Sequence, residues 1–248
     1  MIVSILQTDI EWGLPELNAQ HAERLLNEGQ ESALYVLPEM WSTGFATTPE
    51  GIAETDGRSL AWMQQTAVKR KVALCGSVAM KDVDGTYRNR HYFVKPDGTY
   101  QFYDKRHLFS YGGEDKNYTR GEERTVVEYN GWRFLLLTCY DLRFPVWSRY
   151  RDDYDAIIYV ANWPDTRQRV WETLLRARAI ENQCYVIAAN RVGKDAECAY
   201  IGGSCVVGAK GNTIVESSGP TEQILTAELS KESLERFRMK FQVLKDKD

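Results

Sequence analysis

Histidine is scarce in this chain, and no two cysteines are spaced as Cys-x-x-Cys. Three histidines (His21, His91, His107) lie scattered among five cysteines (Cys75, Cys139, Cys184, Cys198, Cys205). Zinc and iron–sulfur centres draw on closely spaced Cys and His ligands, so the pattern argues against a metal site. A Cys–His nucleophile pair has only His91 and His107 to draw on, so a carboxylate is the expected base for any reactive thiol. An odd cysteine count without framework spacing points to free thiols in a reducing compartment. No apolar run approaches the ~20 residues that cross a bilayer, which argues against a membrane protein. Lys and Arg (31) do not outnumber Asp and Glu (35), and a net charge of −4 argues against nucleic acid as a partner. Met1 leads straight into Ile2-Val3-Ser4-Ile5-Leu6-Gln7, with no basic leader and no cleavage site, so a cytoplasmic location is expected. There is no Gly/Ser linker, low-complexity tract or composition break, and residues 1–248 are expected to form one domain.

What is present is an alternation of strand and helix signals. Ile2–Gln7 and Ala33–Leu37 read as strands around an amphipathic helix at about 15–29, its apolar positions Leu17, Ala22, Leu25 and Leu26. A helix over Ser59–Lys71 precedes strands at Val72–Val78, Asn89–Val94 and Thr99–Tyr103, with turns at Asp84-Gly85 and Pro96-Asp97-Gly98. The second half repeats the scheme. A buried strand ending at Thr138 follows a turn at Asn130-Gly131, and a short helix is expected near 145–151. Then come a strand at Ala156–Val160 and a helix from about Gln168 to Asn182 that buries Val170, Trp171, Leu174, Leu175 and Ile180. Strands at Cys184–Ala189, Gly202–Val207, Thr213–Glu216 and Ile224–Glu228 precede a C-terminal helix carrying Leu234, Phe237 and Phe241. Such alternation with intervening hairpins implies an α/β layered sandwich with mixed sheets.

Three strand ends each present one reactive side chain: Glu39, Lys105 and Cys139. The carboxyl end of a strand is where open α/β sheets keep their ligand crevice. A cysteine nucleophile needs a proton acceptor and a group that meets the developing oxyanion, and a carboxylate and an ammonium can supply these. Taken singly each residue is ambiguous. Cys139 fits a buried structural thiol, Glu39 after Pro38 a loop ion pair, and Lys105 a solvated side chain.

The stretches Leu37-Pro38-Glu39-Met40, Tyr103-Asp104-Lys105-Arg106-His107-Leu108-Phe109 and Thr138-Cys139-Tyr140-Asp141-Leu142-Arg143-Phe144-Pro145 change that balance. In this order they resemble the three signature blocks of the nitrilase superfamily of carbon–nitrogen hydrolases, over nearly the whole chain. The resemblance implies an αββα sandwich of two mixed sheets. It implies Glu39 as general base, Lys105 as oxyanion-stabilising cation and Cys139 as nucleophile, with the Tyr140 backbone N–H as a second oxyanion donor. Glu114 matches a second family glutamate, although a surface role also suits its charged loop. The chemistry implied is amide hydrolysis through a thioester, with no cofactor and no metal.

The run from Cys139 to Arg149, with Asn162-Trp163-Pro164 and Arg176–Gln183, looks most like the bacterial ω-amidases, which act on 2-oxoglutaramate and 2-oxosuccinamate. Such a substrate ends in an anion, for which Arg143, Arg167 and Arg191 are available, with structural ion pairing the expected role of Arg143. Trp163, Asn162, Tyr111 and Phe45 are candidate substrate-binding residues; Trp41, like the other aromatics, also fits core packing. Another amidase or an N-carbamoyl hydrolase of the same superfamily is the nearer alternative. A non-catalytic binding or scaffold protein on the same fold is the alternative of another class. The family's habit of pairing sandwiches implies a homodimer, with Leu234, Phe237 and Phe241 on either the subunit's own core or its neighbour.

Overall fold

The computed structural model describes residues 1–247. The first half lays down β1 (Ile2–Gln7), α1 (Pro15–Glu28), β2 (Leu34–Val36), α2 (Arg58–Arg70), β3 (Ala73–Lys81), β4 (Tyr87–Val94), β5 (Tyr100–Asp104) and a single helical turn, α3 (Glu114–Asn117). The second half lays down β6 (Val126–Tyr129), β7 (Trp132–Thr138), a one-turn α4 (Pro145–Ser148), β8 (Ala156–Ala161), α5 (Gln168–Glu181) and β9 (Tyr185–Asn190). It closes with β10 (Val192–Lys194), β11 (Ala199–Ile201), β12 (Cys205–Val207), β13 (Thr213–Glu216), β14 (Gln223–Glu228) and α6 (Lys231–Lys240).

Two six-stranded sheets result, in the orders β14-β1-β2-β3-β4-β5 and β13-β12-β9-β8-β7-β6. Each has three parallel strands at its centre, β1-β2-β3 in one and β7-β8-β9 in the other, with antiparallel strands outside them. Parallel strands need both faces covered, which is why β8 reads Ala-Ile-Ile-Tyr-Val-Ala, buried throughout. The inner faces meet in one core that joins Val3, Ile5, Val36 and Phe93 to Phe134, Leu136 and Ile158. Phe93 and Phe134 stack across the interface with centroids 5.8 Å apart. Outside the first sheet, Ala22, Leu25 and Leu26 of α1 and Met63 and Ala67 of α2 cover Leu6, Leu74 and Tyr92. Trp171, Leu175 and Ala179 of α5 and Leu234 of α6 join the core over the second sheet. This is the expected αββα sandwich.

Several local expectations change. In α1 the buried positions are Asn18, Ala22, Leu25 and Leu26, and Leu17, one place off that stripe, is exposed. In α5 the stripe is Trp171, Leu175, Arg178 and Ala179; Ile180 falls beside it and is 53% exposed, lying over Gly211. The helix expected near 145–151 stops at Ser148. The strand expected from Gly202 starts only at Cys205, because Gly202 and Gly203 both take φ of 78°. Asn130 and Gly131, with φ of 51° and 74°, form a hairpin turn whose first strand, β6, is only four residues long and follows a charged run, so the sequence does not set it off. Leu234 is buried and Phe237 packs against the core, whereas Phe241 is 57% exposed.

Candidate active site

Strand direction brings the reactive residues to one end of the sandwich. β2 and β5 run the same way, separated by parallel β3 and antiparallel β4, so their carboxyl ends, carrying Glu39 and Lys105, lie at one edge of the first sheet. β7 and β8 deliver Cys139 and Asn162 from the second. The Lys105 Nζ lies 2.8 Å from Glu39 Oε1 and 2.8 Å from Glu114 Oε2, with Glu114 Oε1 at 3.1 Å. All three side chains are fully buried. Glu114, on α3, also accepts the Phe109 N–H at 2.6 Å. Glu39 is held at both ends. Its Oε2 accepts the Asn162 backbone N–H at 2.9 Å, and its backbone oxygen accepts from Asn162 Nδ2 at 2.6 Å.

Cys139 sits where the chain leaves β7, at a φ of 43° that side-chain-bearing residues seldom adopt. Strain of this kind persists only where surrounding structure enforces it. Here Asp141 does so. Its Oδ2 accepts the Thr138 N–H at 2.9 Å and the Tyr103 hydroxyl at 2.8 Å, and its Oδ1 accepts the His107 N–H at 3.0 Å. One buried carboxylate thus fastens the turn that presents the sulfur to the segment that carries Lys105. Met40, next to Glu39, has the same unusual φ of 43° and donates its N–H to Ser77 Oγ.

Burial raises the Cys139 thiol well above its ordinary pKa, and the Glu39 charge adds to the rise while Lys105 opposes it. The resting sulfur is therefore protonated, and it could act as a nucleophile only with a base to take that proton. Burial disfavours the Lys105 ammonium, but the Glu114 and Glu39 carboxylates outweigh it and hold the group charged. Burial, reinforced by Glu39 and resisted by Lys105, raises Glu114. Neither histidine competes for the role of base. His91 is sealed in the core against Cys75 and pushed down to about 3 by burial, and His107 is committed to Asp141.

Gly121 lets this cluster close. Its N–H donates to the Lys105 carbonyl at 3.0 Å, and an added Cβ would fall 2.1 Å from the Asp104 carbonyl oxygen. Gly121→Ala is expected to cost about 2–3 kcal/mol. Thermal unfolding should show Tm falling by roughly 5–10 °C; an unchanged Tm would refute the contact.

Residues 2–239 match the model of the carbon–nitrogen hydrolases. The chain belongs to that family. It is 44% identical over 247 residues to the omega-amidase YafV of Yersinia enterocolitica, covering 99% of this chain and 96% of the relative. It is 34% identical to the 2-oxoglutaramate amidase of Bacillus subtilis, covering 98% and 96%. Among solved structures it resembles XC1258 of Xanthomonas campestris, a CN-hydrolase superfamily protein with an arsenic adduct in its active site. The TM-score is 0.96 at 39% identity, with 100% of this chain and 97% of that chain covered.

In this carbon–nitrogen hydrolase, Cys139 opens into a cavity of about 540 Å³ whose walls include Phe45, Phe109, Tyr140, Arg143, Asn162, Trp163 and Arg167. Trp163 and Phe45 thus line this cavity, the latter with its ring centroid 5.3 Å from Lys105 Nζ. Tyr111 does not. Its turn carries it outward to 87% exposure, and Phe109 fills the inward place, edge-on to Tyr140 at 5.1 Å. Trp41 packs in the core against Trp62. Of the three arginines, Arg191 is buried and bonded to Asp9 and the Ile10 carbonyl, and Arg167 lines the cavity with its guanidinium 5.3 Å from the Phe109 centroid. The expectation of an ion pair for Arg143 is overturned. Among the described residues it has no carboxylate partner, and its guanidinium lies over the Trp163 ring, 5.2 Å from the centroid. Sequence reasoning also missed Asn89 and Asp141, and treated Asn162 as a lining residue rather than one bonded to Glu39.

Proposed function

We propose that this enzyme hydrolyses the ω-amide of a small α-keto dicarboxylate, of the 2-oxoglutaramate or 2-oxosuccinamate type, to the dicarboxylate and ammonia. The observation that carries this reading is an uncommitted guanidinium, Arg143, stacked on Trp163 in the cavity that also holds Cys139. A planar cation without a protein carboxylate is suited to a bidentate contact with a substrate carboxylate. The names of two similar relatives, omega-amidase and 2-oxoglutaramate amidase, agree with that chemistry.

In the proposed reaction Glu39 takes the Cys139 proton as sulfur attacks the amide carbonyl carbon, and the carbonyl electron pair moves to oxygen. The Tyr140 backbone N–H and Lys105 hold that oxyanion. When the intermediate collapses, the C–N bond breaks, nitrogen takes the proton from Glu39 and ammonia leaves a Cys139 thioester. Water then gives a proton to Glu39 and attacks the thioester carbon; the thiolate departs and recovers its proton. Glu114 keeps Lys105 in place throughout. Phe45, Asn162 and Trp163 line the substrate's path. No cofactor or metal enters this scheme.

Ammonia release should be fastest with 2-oxoglutaramate or 2-oxosuccinamate in a panel that includes glutamine, an N-carbamoyl amine and a simple nitrile. Preference for the carbamoyl compound, with carbon dioxide released alongside ammonia, would overturn the reading. Arg143→Met keeps the stem over Trp163 and removes the charge. It should raise KM for the keto-acid amide by roughly 10- to 100-fold, the worth of a charged hydrogen bond, and leave a neutral short amide unaffected. Equal losses on both substrates would remove Arg143 from carboxylate recognition.

We further propose that one domain spanning residues 1–248 assembles as a cytoplasmic homodimer. Five free thiols suit a reducing compartment, and exposed Ile180 and Phe241 suit a subunit contact. Sedimentation showing only the 28.5 kDa species would exclude the dimer. No helix among the described residues is long and apolar enough to cross a membrane.

A further inference from the structure

The buried cluster holds two carboxylates and a single ammonium, and a second, neutral donor lies between the acids. Asn89, on β4 and 1% exposed, directs its Nδ2 to Glu39 Oε1 at 2.8 Å and to Glu114 Oε1 at 3.0 Å. Its backbone oxygen accepts the Lys105 N–H at 3.0 Å, so the same residue also registers the segment that carries the cation. Its Oδ1 is buried and has no hydrogen-bond partner among the described residues. Turning the amide over would place that oxygen against two carboxylate oxygens, so the donor-inward orientation is enforced by the acids themselves. A buried acceptor left unmade is costly. An amide that accepts this cost in order to present both N–H groups to two different carboxylates is placed for its donors.

We infer that Asn89 is a positioning residue that holds the Glu39 carboxylate beside Cys139, by giving Oε1 a second donor alongside Lys105 and bridging Glu39 to Glu114. The inference rests on the proposed role of Glu39 as the base. The ionisable groups that face Glu39 are Lys105, Glu114, Cys139 and Tyr118. Lys105 is the one cation among them, and Glu114 is a like charge that shares the Asn89 and Lys105 donors with Glu39. With the Asn89 N–H groups removed, Glu39 loses one of the two donors on Oε1, and like-charge repulsion from Glu114 is no longer bridged. Removing donors from a carboxylate while a like charge stays beside it favours the neutral acid.

The test is the pH profile of kcat/KM for 2-oxoglutaramate with Asn89→Leu, which keeps the volume and removes both donors. The acid limb should move upward by about one pH unit, and kcat should fall roughly tenfold at neutral pH with KM changed less than threefold. A structural role alone would lower activity equally at every pH and leave the limb in place; that result overturns the inference. Should Asn89→Leu not fold, Asn89→Ala is examined by the pH dependence of iodoacetamide labelling at Cys139, read by mass spectrometry without substrate. Its onset should move upward likewise, and an unmoved onset counts against Asn89. Glu39→Gln in parallel separates the two readings. If it retains turnover, the base assignment fails; if it is inactive while the Asn89 variants keep the native profile, only the inference about Asn89 fails.

Discussion

Cys139→Ala should abolish ammonia release, with turnover reduced by at least ~10⁴-fold, the scale on which removing a nucleophile acts, while the protein remains folded. Alanine deletes only the sulfur from a residue at a φ of 43° whose backbone is fixed by Asp141, so the turn has no new strain to relieve. The loss would therefore be chemical. Glu39, Lys105 and Glu114 would still form their buried ion pairs, but no atom would remain to carry the acyl group. Native enzyme quenched during turnover should show a mass increase on the peptide bearing Cys139, and the variant none. Undiminished turnover by Cys139→Ala would falsify the thioester mechanism outright.

Lys105→Met is expected to damage both rate and stability. The ammonium contacts three carboxylate oxygens, and without it two buried acids face each other. Breaking a buried pair by removing one partner costs about 3–5 kcal/mol, because the remaining charge is left unpaired. In a chain of this size that corresponds to a fall in Tm of roughly 10 °C. The deficit should depend on pH with a definite sign. Burial already raises Glu114, and losing Lys105 removes the charge that opposes the rise. A carboxyl whose folded pKa exceeds its unfolded value binds more protons when folded, so stability is retained below the unfolded pKa and lost as pH rises through the folded one. The variant should therefore melt closest to the native protein near pH 5 and fall further below it by pH 8. On the rate, loss of an oxyanion partner costs ~10²–10³ in kcat, and a displaced Glu39 adds to that. A Lys105→Met protein as stable at pH 8 as the native one would contradict this electrostatic account.

Much of this was legible before any coordinates. The parallel strands announce themselves because both of their faces are covered, so Leu135-Leu136-Leu137 and Ile157-Ile158 read as unbroken apolar runs. Glu39 and Cys139 follow such runs, whereas Lys105 follows the mostly exposed edge strand β5, and it is the three blocks around them, in order, that let all three be named. What joins them could not be named. Asn89 and Asp141 act through side-chain geometry between segments distant in the chain, and spacing carries no record of that. A faint signal existed for Asn89. It shares the inward face of β4 with His91 and Phe93, so a polar amide stands at a core position of a buried strand. Tyr111 misled because an aromatic beside Phe109 in a glycine-rich turn can face either way, and packing against Tyr140 chose Phe109. Arg143 misled in the opposite sense, since a surface arginine normally finds an acid and this one lies on an indole ring instead.

The pairing of β14 with β1 ties Glu228 to Ile2 and Gln223 to Gln7. The sheet that supplies Glu39 and Lys105 is thus completed by β14, the last strand among the described residues. A nascent chain that has already made Cys139 still lacks the outer neighbour of β1, so hydrolytic competence should arrive only after translation has passed residue 228.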